Sequence, residues 1–162
     1  MTPRVGAPAP DLVLPDIHGT PVALHALRGT PVLLVFVPFA FSAVCTDELG
    51  ALRDAHAALT AGGDGVPGVR VLAVSCDPMF ALRAWTQQEG YPFDLLSDFW
   101  PHGAAARSYG VLDESAGHPR RGSFLVDAAG VLRWSLLNPA GRGRDVGEYR
   151  RALAELWGGP RR

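Results

Sequence analysis

The chain has 162 residues, 48% of them hydrophobic, and a formal net charge of -1, a size and composition that suit one packed domain. That balance offers no electrostatic case for a nucleic-acid partner, and no apolar run approaches the roughly 20 residues needed to cross a bilayer. All 15 basic residues are arginine, so any cationic role in the chemistry falls to arginine or histidine.

Residues 1–10 carry Pro3, Pro8 and Pro10 and are expected to lie extended along the surface. The opening MTPRVGAPAPDL has no apolar signal core, which predicts a cytoplasmic protein. Asp11 to Leu14 and Pro21 to Leu24, joined by a turn at His18-Gly19, read as a β-hairpin. Val32 to Val37 is an unbroken run of branched apolar residues, the pattern of a strand covered on both faces, and Pro38 ends it. After Ser42 and Cys45 the spacing becomes helical through Leu49, Leu52 and Leu59. A loop at 61–68 leads to a second apolar strand, Val69 to Ser75. Cys76-Asp77-Pro78 then predicts a helix with Asp77 as N-cap and Pro78 at its first position, running to Glu89 and stopping at Gly90.

Phe93 to Leu96 reads as a third strand, followed by a short helix around Ala104 to Tyr109 and a polar loop at 113–120. Gly122 to Asp127 and Val131 to Leu136 form a second hairpin, 138–145 is loop, and 146–157 is a closing helix. The end, 158–162, is expected to fray. No repeat or linker divides the chain, so residues 1–162 are read as one domain. The order of hairpin, β-α-β-α-β-α, hairpin and helix describes an α/β, thioredoxin-like sheet with an N-terminal hairpin. Ligands of such sheets sit beyond the carboxyl ends of the parallel strands, where Cys45 falls.

Two cysteines are too few for a disulfide-stapled secreted scaffold, and Cys45 has no CxxC partner. A buried structural thiol is one reading of Cys45. The other follows from its place at a helix opening, where unpaired N–H groups and the macrodipole favour thiolate over thiol.

Pro38, Ser42 and Cys45 form Pro-x-x-x-Ser-x-x-Cys. The sequence here resembles the peroxiredoxins, whose motif is Pro-x-x-x-Thr-x-x-Cys with serine a minority substitute. APAPDLVLPD (7–16), VSCDP (74–78) and RGSFLVDAAGVLRW (121–134) extend the resemblance, and FVPFAFSAVCTDEL, LLSDFWPHG (95–103) and SYGV (108–111) look like the AhpE group of one-cysteine peroxiredoxins. The resemblance implies a thiol-dependent peroxidase without metal, haem or flavin. Its Cys45 thiolate would attack hydrogen peroxide, an organic hydroperoxide or peroxynitrite and become a sulfenic acid, which an external thiol or redoxin returns to thiolate. It also implies a homodimer or a larger homo-oligomer.

The residues fit those roles. Ser42 offers a hydroxyl that both donates and accepts, although serine at such spacing is also an ordinary cap. Backbone N–H groups of Val44 and Cys45 would bind the peroxide, and Pro38 would shield the sulfur from water. The family's thiolate-stabilising arginine matches Arg121, with Arg120 one position away. Glu48, one turn into the helix, suits a structural partner for an arginine or a cap. A free thiol is a few per cent ionised at neutral pH, so complete ionisation gains only about 30-fold, roughly 2 kcal/mol. Binding the stretched O–O bond must supply more.

Cys76 ends an apolar strand and reads as a core residue, though a Cys45–Cys76 disulfide would make the enzyme a two-cysteine type. A peroxide sensor acting on a partner protein is the reading from another class. The histidines have no metal-binding spacing such as HExxH. Trp85 and Trp134 suit the core, and Phe41 and Trp100 line either a pocket or a dimer face.

Overall fold

A computed structural model describes residues 2–158. Strand β1 (Val13–Pro15) pairs antiparallel with β2 (Pro21–Ala23), and a 3-10 turn at Leu24–Leu27 follows. The central strand β3 (Val32–Phe36) is buried at every position because neighbours cover both its edges and both its faces. It runs parallel to β4 (Arg70–Ser75), which runs parallel to β5 (Asp94–Ser97). On its other edge it pairs antiparallel with β8 (Arg121–Val126), which turns back as β9 (Leu132–Asn138). The sheet order is β5-β4-β3-β8-β9.

Side chains alternate across a strand, so β3 divides the core in two. Leu33, Val35 and Val37 face helices α1 (Ala43–Ala61), α2 (Met79–Glu89) and α4 (Val146–Trp157), packing with Leu49, Leu52, Trp85, Tyr149 and Leu153. Leu34 and Phe36 face the other way, against Leu12, Leu14, Tyr109 and the short α3 (Ala104–Ser108). This is a thioredoxin-like sheet with an added N-terminal hairpin, and it carries α1 directly from the end of β3.

Three local features differ from the sequence expectations. Asp77 does not cap α2; Pro78 holds the N-cap position with extended backbone, and the Asp77 carboxylate turns to the loop between β3 and α1 instead. The polar loop at 113–120 contains a small ladder, β6 (Leu112–Asp113) with β7 (His118–Pro119), whose two-residue strands are too short to leave a period in the sequence. β9 runs two residues past Leu136. The proline-rich start runs along the surface and is pinned there: Gly6 N–H donates to Leu132 O at 2.7 Å and Leu132 N–H to Ala7 O at 2.9 Å. Of the segment expected to fray, Gly158 closes α4 by donating to Ala154 O at 2.8 Å, and 159–162 lie outside the described residues.

Candidate active site

The loop between β3 and α1 leaves the sheet at Val37, whose N–H donates to Val74 O at 2.9 Å, and turns sharply at Phe41. Phe41 adopts φ 67°, a left-handed conformation that costs a bulky residue energy and persists only where its surroundings enforce it. Part of that enforcement is Asp77. Its Oδ2 accepts from the Ala40 N–H at 2.8 Å and from the Ser75 hydroxyl at 2.7 Å, which ties the loop to the carboxyl end of β4. Ser97, at the end of β5, donates to Asp77 O at 2.6 Å.

Ser42 is the N-cap of α1, with extended backbone and its Oγ accepting from Cys45 N–H at 3.3 Å. Capping takes one acceptor site and leaves the O–H free to donate. Cys45 is the third residue of α1 and fully buried. Its own N–H is shared with the Ser42 cap, so of the two backbone donors proposed from sequence, the Val44 N–H has no acceptor within the helix. Pro38 lies one residue beyond the last sheet hydrogen bond and lines the adjacent cavity.

Arg121 begins β8, and its Nη1 donates to Cys45 Sγ at 3.5 Å. Arg120 is exposed and Arg121 buried; the inward parity of the strand's first residue separates them. Glu48, three residues after Cys45 and therefore on the same helix face, binds Arg121 through Oε1. Its Oε2 accepts from the Arg144 backbone N–H at 3.0 Å and lies 3.1 Å from Arg144 Nε. Arg144 in turn donates to Phe36 O. Two guanidinium groups on one buried carboxylate satisfy the charge that burial would otherwise penalise, and the result is a rigid bracket running from β3 through α1 to β8.

Arg144 was missed in the sequence because it sits in a Gly-, Arg- and Asp-rich loop, where arginine is ordinarily solvated. Only its place just before a helix N-cap, Asp145, hints that the segment is anchored.

Cys76 lies elsewhere. Its parity continues Leu72 and Val74, which face the α3 side, whereas Cys45 belongs to the layer under α1. Burial, with Asp98 and Asp77 nearby, pushes the Cys76 thiol up to about 12. Both cysteines are free. Phe41 and Trp100 are exposed, with Phe39, Phe80 and Phe99 also exposed on loops and the helix start that follow β3, β4 and β5. Trp85 is fully buried and Trp134 packs partly buried against the same layer.

A cavity of about 550 Å³ opens beside Arg121, lined also by Pro38, Asp113, His118, Arg120 and Asn138. The buried sulfur, the Ser42 hydroxyl, a helix N-terminus and the Arg121 guanidinium stand together, and Arg121 and Pro38 join them to the cavity; these groups together favour negative charge on sulfur and on an attached oxygen.

Residues 5–135 match the model of the AhpC/TSA family. The chain is 43% identical over 154 residues to alkyl hydroperoxide reductase E of Mycobacterium tuberculosis, covering 94% of this chain and 97% of that protein. Among solved structures it is similar to Enterococcus faecalis AhpC, with TM-score 0.84 and 30% identity over 96% of this chain and 93% of that one. It is also similar to the Plasmodium vivax 2-Cys peroxiredoxin, with TM-score 0.83 and 27% identity over 95% and 82% of the two chains.

Proposed function

The chain belongs to the AhpC/TSA family of peroxiredoxins, and from that premise we propose that Cys45 is its peroxidatic sulfur. The protein is a thiol-dependent peroxidase. The observation that carries the assignment to Cys45 is the 3.5 Å approach of Arg121 Nη1 to Sγ at the N-terminus of α1.

In the proposed reaction the Cys45 thiolate attacks one oxygen of a peroxide. An S–O bond forms as the O–O bond breaks, and the departing oxygen takes up a proton to leave as water or alcohol. Ser42 O–H and Val44 N–H donate to the oxygens as charge moves onto them, and Arg121 spans sulfur and oxygen. These donors are fixed before reaction, so they act without reorganising. Pro38 keeps water from the sulfur. Glu48 and Arg144 act through Arg121, as positioning residues.

An external thiol then resolves the sulfenic acid. The one-cysteine route is favoured because Cys76 faces the opposite layer of the sheet, where a Cys45–Cys76 disulfide would require the chain to rearrange. A thiol-driven cycle with both cysteines free suits a reducing compartment, so we assign the protein to the cytoplasm; no helix among the described residues is long and apolar enough to cross a membrane. Residues 1–162 act as one unit in this reading. We further infer a homodimer that covers the exposed aromatics, of which Phe80 is 69% and Trp100 81% accessible, large apolar side chains that association would take out of water.

Peroxide consumption with an excess of dithiothreitol tests the assignment. Cys45→Ser should lose it while keeping the fold, since a hydroxyl is a far weaker nucleophile; activity above about a tenth of wild type would place the chemistry on another residue.

A further inference from the structure

We propose that Arg120 is the anion-recognition residue of a reductant subsite that His118 and Asn138 help to line, so that a small thiol bearing a carboxylate binds in the cavity beside Arg121. This rests on the peroxidase reading and specifies the substrate of its second half-reaction.

The cavity that reaches Arg121 continues outward to Arg120, His118, Asp113 and Asn138. Arg120 is exposed, and no carboxylate pairs with it among the described residues. His118 Nδ1 lies 2.8 Å from Pro119 O. A carbonyl can only accept, so Nδ1 carries the proton and Nε2 is left as an acceptor, for a ligand's own O–H or N–H rather than for its anionic group. The Phe39 ring packs edge-on against this imidazole at 4.8 Å and fixes its plane. Asn138 adds an amide whose oxygen position is buried without a partner, a group that donates or accepts according to its flip.

Asp113 is the opposing charge. The Ala116 N–H and the Ser115 hydroxyl hold its carboxyl below the usual range. Its Oδ1 is occupied by Ser115 and Ala116, so its charge is partly spent on its own turn. Around the cavity and the bracket behind it stand Arg120, Arg121 and Arg144 against Asp113 and Glu48. Three arginines and two carboxylates leave one positive charge. That surplus draws an anion toward the cavity, where Arg120 is the arginine left without a carboxylate partner among the described residues.

The step balances. The reductant thiolate attacks the sulfenic sulfur, an S–S bond forms, the S–O bond breaks, and the hydroxyl takes a proton to leave as water. A second equivalent of the same thiol displaces Cys45 from the mixed disulfide, so two thiols are oxidised to one disulfide for each peroxide reduced.

The test uses protein oxidised by one equivalent of hydrogen peroxide and mixed with thioglycolate, β-mercaptoethanol or cysteamine, with rates expressed per thiolate. Wild type should favour the carboxylate thiol, and the thioglycolate to β-mercaptoethanol ratio should fall roughly 1.5- to fivefold in Arg120→Gln, the range of a single exposed ion pair. It should fall further in Arg120→Glu, and the preference should fade as salt rises. Ratios equal in wild type and variants would overturn the proposal. So would a charge preference confined to the oxidation step, between a carboxylate-bearing and a neutral hydroperoxide. Failure of Cys45 to oxidise at all would be the separate failure of the peroxidase reading, and this proposal would fall with it.

Discussion

The Asp77 carboxylate accepts the backbone N–H of Ala40 at 2.8 Å, a bond that joins the end of β4 to the loop carrying Pro38 and Ser42. Asp77→Ala should therefore cost about 1–3 kcal/mol, because the part-buried Ala40 N–H and the buried Ser75 hydroxyl lose their acceptor, and slow Cys45 oxidation by loosening the loop. Asp77→Asn keeps an oxygen at that position and should restore much of both. Denaturant midpoints and stopped-flow oxidation rates check this; an oxidation rate in Asp77→Ala equal to wild type would leave Asp77 a purely structural clamp.

Ser42 caps α1 and is proposed to bind the peroxide, and two variants separate the roles. Ser42→Asn retains a strong cap without a hydroxyl, whereas Ser42→Thr retains both. Oxidation per thiolate should fall roughly 10- to 1,000-fold in Ser42→Asn and Ser42→Ala, and stay within a few-fold of wild type in Ser42→Thr. If Ser42→Asn oxidises as fast as wild type, the hydroxyl only caps the helix.

Glu48 holds two buried arginines. Glu48→Ala should destabilise the fold by about 3–5 kcal/mol, because truncation strands buried positive charge. Arg121→Ala should reduce the oxidation rate by more than the roughly 30-fold that ionisation alone can account for. An Arg121→Ala rate that matches wild type after correction for thiolate fraction would confine the arginine to charge stabilisation of the ground state.

The Cys76 thiol, raised to about 12 against an ordinary value of 9.0, gives a pH prediction with a definite sign. Between those values the unfolded chain has released the proton while the folded chain retains it. The fold therefore loses stability as pH rises through that window. Cys76→Ala should flatten the decline between about pH 9 and 12, as read by urea midpoints across pH. An unchanged slope would mean that Cys76 titrates normally. Cys76 should also resist alkylation at neutral pH.

Much of this was legible in the sequence for physical reasons that can be named. Val32 to Phe36 is apolar at every position because it is covered on every side, and the 146–157 helix shows its inward stripe at Tyr149, Ala152 and Leu153. The Pro38, Ser42 and Cys45 spacing depends only on a strand end and a first helical turn, both local. Long-range partners leave no such trace. Arg144 reaches Glu48 across 96 residues, and nothing nearby marks it as buried. Asp77 stands before a proline at a helix start, which is the pattern of a cap, yet tertiary demand from Ala40 claims its carboxylate. The β6–β7 ladder is held by the elements around it rather than by a period of its own.

The most direct measurement is peptide mapping by mass after one equivalent of hydrogen peroxide in the presence of a dione that traps sulfenic acid. Wild type and Cys76→Ala should both carry the adduct on the Cys45 peptide, stoichiometrically, with Cys76 unmodified in wild type. An adduct on another residue, or a wild-type monomer that loses two hydrogens through a disulfide absent from Cys76→Ala, would contradict the account.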